Sequence, residues 1–139
     1  MIIAVDFDGT CVTHDYPNVG KDVGAVPVLK RIVDAGHDIM LWTMRSDAPI
    51  ALKENLVDSE NPTNTLQDAV NWFKENDIPL FSINENPEQI RTQWSTSNKQ
   101  YAHLYIDDAA LGCPLTSDVS LSSRPFVDWK KVNEMLKFD

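Results

Sequence analysis

The sequence predicts an α/β fold, a parallel sheet between helices in a three-layer α/β/α arrangement. Three observations carry this expectation. Short apolar, largely β-branched runs alternate with segments whose apolar residues recur at helical spacing, which is how strands joined by helical crossovers read. Those runs are apolar throughout, as strands buried on both faces are. At 139 residues the chain has the length of one domain, 1–139. Such a chain buries roughly 68% of the surface its unfolded form exposes, so one core carries it without disulfides or metals as staples.

The elements follow in order along the chain. Ile2 to Val5 is the first strand, and Asp6 ends it. Residues 11–22, with His14, Tyr16, Pro17, Asn18 and Gly20, read as a long loop that folds over whatever lies at the end of that strand. Val26, Leu29, Ile32 and Val33 form one helical face, and Gly36 stands where a left-handed residue stops the helix. Ile39 to Trp42 is the second strand, closed by Thr43. Ser46 or Asp47 caps a helix to about Val57, with Pro49 in its first turn. Thr65 and Asp68 resemble a capping box ahead of Leu66, Ala69, Val70 and Phe73. Leu80 to Ile83 is a third strand, and residues 84–98 are polar and weakly patterned. Leu104 to Ile106 is a fourth strand, ending at Asp107-Asp108. Residues 109–127 are irregular, with a short strand near Val119 to Leu121. Asp128 caps a last helix whose core face holds Val132, Met135 and Leu136.

Composition excludes several function classes. Twelve Lys and Arg against 21 Asp and Glu leave a formal charge of −9 and a pI near 4.6. No run of basic residues offers a local patch, so long nucleic acids and anionic membrane surfaces are not expected partners. A small anionic substrate remains compatible, because a bound cation reverses the local sign. The apolar start is broken at Asp6, far short of a membrane span. Cys11 and Cys113 make no disulfide framework or zinc spacing, and no signal peptide is evident, so a reducing cytoplasm is the expected location.

Polar residues at strand ends carry the chemistry. In a parallel sheet, ligands bind beyond the carboxyl ends of the strands. Asp6 and Asp8 follow strand one in Asp6-Phe7-Asp8-Gly9-Thr10, Thr43 closes strand two, and Asp107-Asp108 end strand four. Four carboxylates in one cleft repel unless a cation offsets them or some keep a proton. Carboxylate oxygens suit Mg²⁺, which takes few protein ligands and leaves room for a phosphate. Thr43 adds a hydroxyl and Lys99 a mobile ammonium. Metal, ammonium and hydroxyl together can hold a phosphoryl group while a carboxylate attacks it.

Asp6-Phe7-Asp8-Gly9-Thr10 resembles the first motif of the haloacid dehalogenase (HAD) superfamily in its phosphatase branch. Thr43 in Leu41-Trp42-Thr43-Met44-Arg45 matches the second motif, Lys99 the third, and Tyr105-Ile106-Asp107-Asp108 the fourth. The resemblance spans residues 1–112 in the correct order. It implies a Rossmann-like domain of the HAD type. It implies that Asp6 is a nucleophile forming an aspartyl-phosphate, and that Asp8 protonates the leaving oxygen and then activates water. Thr43 and Lys99 would hold the phosphoryl oxygens. Mg²⁺ would sit on the Asp6 and Asp107 carboxylates and the Asp8 main-chain carbonyl, with Asp108 ligating through water or orienting Lys99.

The intervals between these residues are filled by single loops, helices and a strand, so no cap domain is expected. The open site would be covered by the 11–22 loop or by a second copy of the chain. Thr10, Arg45, His14 and Tyr16 are the expected substrate contacts, with a surface salt bridge the alternative for Arg45 and ordinary loop packing for His14 and Tyr16. His37, His103 and the tryptophans read as structural. Cys11 lacks the Arg cradle that a thiol nucleophile needs. The expected function is a Mg²⁺-dependent phosphomonoester hydrolase acting on a small phosphorylated substrate. The alternatives are a phosphomutase of the same fold and a non-enzymatic, receiver-like phosphoacceptor domain.

Overall fold

The computed structural model describes residues 1–47 and 64–138. Strands β1 (Ile2–Val5), β2 (Asp38–Leu41), β3 (Ser82–Ile83) and β4 (Leu104–Ile106) form a sheet of order β3-β2-β1-β4, and every neighbouring pair is parallel. The chain steps outward from β1 through β2 to β3, then returns to place β4 on the other side of β1. Strand order therefore reverses between β1 and β4, which opens a crevice beyond their carboxyl ends.

Pleating divides the strand side chains between two faces. Ile3, Val5, Ile39 and Leu41 enter the larger core cluster. They meet Leu29 and Ile32 of α1 (Ala25–Asp34), Ala69, Trp72 and Phe73 of α2 (Thr65–Glu75), and Trp129 and Val132 of α4 (Trp129–Met135). Ala4 and Met40 point the other way, into a smaller cluster with Ala102, flanked by Ile2, Trp42 and Tyr105. This is an α/β fold built on a parallel sheet. No helix among the described residues is long and apolar enough to cross a membrane.

Local chemistry sets the element ends. α1 starts where Asp22 Oδ1 accepts the Ala25 N–H at 3.1 Å. It stops in a Schellman turn: Gly36 N–H bonds Val33 O at 2.9 Å and His37 N–H bonds Ile32 O at 3.2 Å, with Gly36 at φ 86°. Asp128 caps α4 by accepting the Lys131 N–H, as expected from the sequence. His37 and His103 are structural, each Nδ1 meeting the first strand's end, at the Met1 amino group and the Ile2 N–H.

Several expectations are corrected. The Thr65–Asp68 capping box does not form, because Asn64 is the cap residue and the Thr65 hydroxyl donates to Ser46 O at 2.9 Å. The expected helix from Ser46 or Asp47 to Val57 falls outside the described residues. Asp47 itself bridges to Asn64, and its Oδ1 accepts the Gln67 N–H at the start of α2. The polar stretch 84–98 holds a helix, α3 (Pro87–Thr92), whose Asn86 cap accepts the Glu88 and Gln89 N–H groups. Six residues are too few for a periodic signal, although the Asn-Pro start was visible.

The third strand is shorter than Leu80 to Ile83 and spans Ser82–Ile83. Val119 to Leu121 is no strand, and Val119 is 93% exposed. Instead β5 (Leu115–Thr116) and β6 (Phe126–Val127) pair antiparallel, anchored by buried Phe126 and Val127. Met135 is 63% exposed, whereas Leu136 turns into the core because the chain leaves the helix there with ψ 107°.

At Gly36 a Cβ meets nothing within 4 Å, so only the left-handed backbone opposes a side chain. Gly36→Ala should therefore destabilise the protein by about 1 kcal/mol. A urea midpoint lowered at unchanged slope checks this.

Candidate functional site

Strand register builds the carboxylate cluster. Val5 pairs with Ile106, and the Asp6 N–H donates to Ile106 O at 3.0 Å, so Asp6 and Asp107 emerge side by side at the crevice between β1 and β4. Asp6, Asp107 and Asp108 each offer an oxygen, all within 4.8 Å of one another. Thr10, expected to touch substrate, is buried and ties this cluster together instead. Its hydroxyl lies 2.8 Å from Asp6 Oδ2 and 3.2 Å from Asp108 Oδ1, and its oxygen accepts the Asp108 N–H at 3.1 Å.

Burial, reinforced by the negative charge of Asp107, pushes the Asp6 carboxyl up to about 8, although the Thr10 hydroxyl works the other way. His14 Nε2 stands 2.9 Å from Asp108 Oδ2, so Asp108 faces Thr10 and His14 and does not orient Lys99. That approach requires Gly9, which sits at φ 79°. A Cβ there would lie 2.0 Å from His14 Nε2 and 2.6 Å from Asp108 Oδ2. Cys11 is buried and burial drives its thiol well above the ordinary range, which removes it as a nucleophile.

Asp8 is held separately. Arg45 Nε and Nη2 donate to its two oxygens at 2.7 Å each, the bidentate fork that a guanidinium makes with a carboxylate. The remaining donors go to backbone: Nη1 to Pro17 O and Thr65 O, Nη2 also to Asn18 O at 2.7 Å. The guanidinium carbon lies 5.0 Å from the Phe7 ring centroid and 5.2 Å from that of Tyr16. A guanidinium has five N–H donors, and all five are engaged. Arg45 is 3% exposed. It is neither a substrate grip nor a surface salt bridge, but a buried clamp that aims Asp8 and fastens the 15–18 turn to α2.

Thr43 follows β2 as expected. Its N–H donates to Asn84 Oδ1 at 2.8 Å and its Oγ1 accepts the Arg45 N–H at 3.1 Å, which leaves the hydroxyl hydrogen free to donate outward. Asn84 at φ 56° was missed in the sequence. Its position directly after β3, one register step past the Leu41–Ile83 pair, was the available signal.

The cleft has two chambers that share Asp6, Thr43, Met44 and Asp107. The smaller, about 310 Å³, adds Trp42 and Asn84, while the larger, about 590 Å³, adds Asp8, His14, Tyr16, Arg45, Asp108 and Arg124 among others. Arg124 was also missed, since an isolated Arg in an irregular segment carries no pattern. Lys99 is not among the lining residues. It lies on an exposed coil with Nζ 5.9 Å from the Tyr105 ring centroid.

The chain is similar to a solved structure described as that of a conserved protein coded by a locus from Bacteroides thetaiotaomicron. The two share 29% identity and a TM-score of 0.68, over 97% of this chain and 88% of that one. No family model and no curated protein matches the chain.

Two predictions follow from this geometry. Arg45→Lys replaces a five-donor fork by a point charge that cannot serve Asp8 and three carbonyls together. It should cost about 3 kcal/mol, the order seen when a buried pair is broken, and a urea midpoint reads it. The second concerns Asp6, whose carboxyl has an ordinary value of 3.8 and a folded value of about 8. Between these pH values the unfolded chain has lost a proton that the folded chain keeps, so this group's contribution to stability falls as pH rises. In chelator, wild-type stability relative to Asp6→Asn should decline from pH 4 to pH 8. A rising difference would reverse the assignment.

Proposed function

We propose that the protein is a Mg²⁺-dependent phosphomonoester hydrolase of the HAD superfamily type. In this reading it is a three-layer, Rossmann-like domain without a cap, acting through an aspartyl-phosphate on Asp6. The observation that carries the reading is the convergence at the β1–β4 crevice. Asp6, Asp107 and Asp108 lie within 4.8 Å of one another, Thr43 lines the same cleft, and Asp8 is fixed two residues from Asp6. The motif order of the sequence supports it, as does a sheet with β1 at its centre.

The donor set fits a hard divalent cation. It is all oxygen, half buried, and drawn from two adjacent strand ends. Burial and a neighbouring carboxylate push Asp6 up, which is the environment of a negative cluster lacking a counter-charge. The Asp108 oxygens already face Thr10 and His14, which favours Asp6 and Asp107 as the carboxylates holding the metal, with the Asp8 main-chain carbonyl. When bound, Mg²⁺ supplies offset for the charge of the phosphoryl oxygens.

The chain's own residues account for the rest. An Asp6 oxygen attacks phosphorus as the bond to the leaving oxygen breaks, and Asp8, after exchanging one Arg45 N–H for a proton taken from water, gives that proton to the leaving oxygen. Asp8 then takes a proton from water as the water oxygen attacks phosphorus, releasing phosphate and regenerating Asp6. The Arg45 fork aims Asp8, and one of its two bonds must open whenever an Asp8 oxygen carries or takes a proton. The Thr43 hydroxyl has its hydrogen available for a phosphoryl oxygen. The position of Lys99 over Tyr105 gives no support to its sharing that task.

The test uses an aryl phosphate with Mg²⁺. Wild type should turn over many times and lose activity in chelator, whereas a phosphoacceptor domain would stop after one equivalent. Asp6→Asn should be inactive. Asp8→Asn removes the proton carrier, a loss of roughly 10²–10⁴-fold in each step it serves. An aryl leaving group needs little protonation, so this variant should release a burst near one equivalent of phenol and hold an added phosphoryl group by intact mass. Label on any residue other than Asp6 would overturn the mechanism.

A further inference from the structure

The cleft is larger than its chemistry requires. The phosphoryl site proposed above occupies the floor where both chambers meet, at Asp6, Thr43 and Asp107. The larger chamber runs on from there to His14, Tyr16 and Arg124. That extension has room for the part of a substrate beyond the transferred group, and its lining bears on what that part would be.

Of the two arginines that line the cleft among the described residues, Arg45 has every donor engaged, and Lys99 does not reach the lining. The Arg124 guanidinium, in contrast, has no hydrogen-bond or ion-pair partner among the described residues. It offers five free N–H donors at the rim of a cleft whose floor is strongly negative.

Its placement is built. Arg124 lies in the turn between β5 and β6, where its N–H bonds Ser122 Oγ at 3.1 Å and the Leu121 and Ser122 N–H groups both bond Asp118 O. The root of the hairpin is fastened to the loop that carries Asp8. The Val127 N–H bonds Gly9 O at 3.1 Å, and Trp129 Nε1–H bonds Thr10 O at 2.6 Å. The segment that holds the reacting residues thus also holds the base of the turn that presents Arg124.

Resting on the hydrolase reading, we propose that Arg124 determines specificity by binding a second oxyanion of the substrate, remote from the ester phosphate. The substrate class is a small organic phosphate that also carries a carboxylate or another phosphate. The chemistry is that of the guanidinium fork, which matches planar and tetrahedral oxyanions with paired N–H donors. On a chain of charge −9 a second negative group on the substrate is otherwise repelled, so a dedicated cation is needed to admit it.

The test compares phenyl phosphate with 4-carboxyphenyl phosphate, in wild type, Arg124→Ala and Arg124→Lys. Taking the variant-to-wild-type ratio of kcat/KM within each substrate cancels the difference in leaving group. Arg124→Ala should lose about tenfold more on the carboxylated substrate than on phenyl phosphate, the size of one exposed charge-assisted contact, and the loss should lie in KM. Arg124→Lys should recover part of it. Calorimetric binding of 4-carboxyphenylphosphonate, which is not hydrolysed, should weaken by a similar factor in Arg124→Ala. Equal ratios for the two substrates, whether both fall or neither does, overturn the assignment to a second anion and leave the hydrolase reading intact. Failure of wild type to hydrolyse either substrate overturns both.

Discussion

Arg45 is the residue on which the rest of the site depends. A buried guanidinium is costly unless every donor finds an acceptor and its charge a partner. Here the Asp8 carboxylate supplies the charge, and three backbone carbonyls from the 15–18 turn and α2 take the other donors. Satisfying one side chain fixes three things together: the direction of Asp8, the path of the loop over the cleft, and the seating of that loop against the helix. Phe7 and Tyr16 lie against the same group, so the residue between the two aspartates also takes part in the clamp. Asp8 is thereby set apart from the neighbouring carboxylates, each of its oxygens taken up by a donor of its own.

The other three acids have the opposite problem. Parallel pairing of β1 with β4 forces Asp6 and Asp107 out at one crevice, and Asp108 follows. The fold answers part of this with neutral groups. The Thr10 hydroxyl bridges Asp6 and Asp108, and His14 reaches Asp108 across a glycine with no room for a side chain. Asp6 still carries the strain in its elevated proton affinity. A cluster left short of positive charge at the switch point of a parallel sheet is what the proposed cation and phosphate would complete.

Much of this was legible along the chain. Strand ends mark where a parallel sheet places ligands, so Asp6, Thr43, Asp107 and Asp108 could be assigned to one rim without coordinates, and they line one cleft. Thr10, Arg45 and Lys99 were assigned by proximity to motifs, and proximity in sequence says nothing about where a long side chain is directed. Thr10 turned inward because its hydroxyl lies among carboxylates that need donors. Arg45 turned inward because Asp8 and three carbonyls needed it. Lys99 sits on coil with its ammonium over an aromatic ring. Asn84 was passed over although it directly follows a strand, and Arg124 because a lone polar residue in a loop has no period or spacing to read.

The sequence by itself determined the α/β class, the succession of the four parallel strands along the chain, the helix stop at Gly36 and the cap at Asp128. It also determined which acids share a rim. These follow from local rules: side-chain periodicity, backbone restriction and the direction of parallel strands, each acting over a few residues. Only the tertiary structure decided that β1 lies between β2 and β4, that Arg45 is spent on Asp8, that Asp108 faces His14, and that a C-terminal hairpin brings Arg124 to the mouth of a cleft begun at Asp6. These pairings join residues tens of positions apart, up to 119 for Thr10 and Trp129 at the root of the hairpin. They are settled by competition for buried hydrogen-bond partners, a global accounting that no stretch of the chain can close on its own.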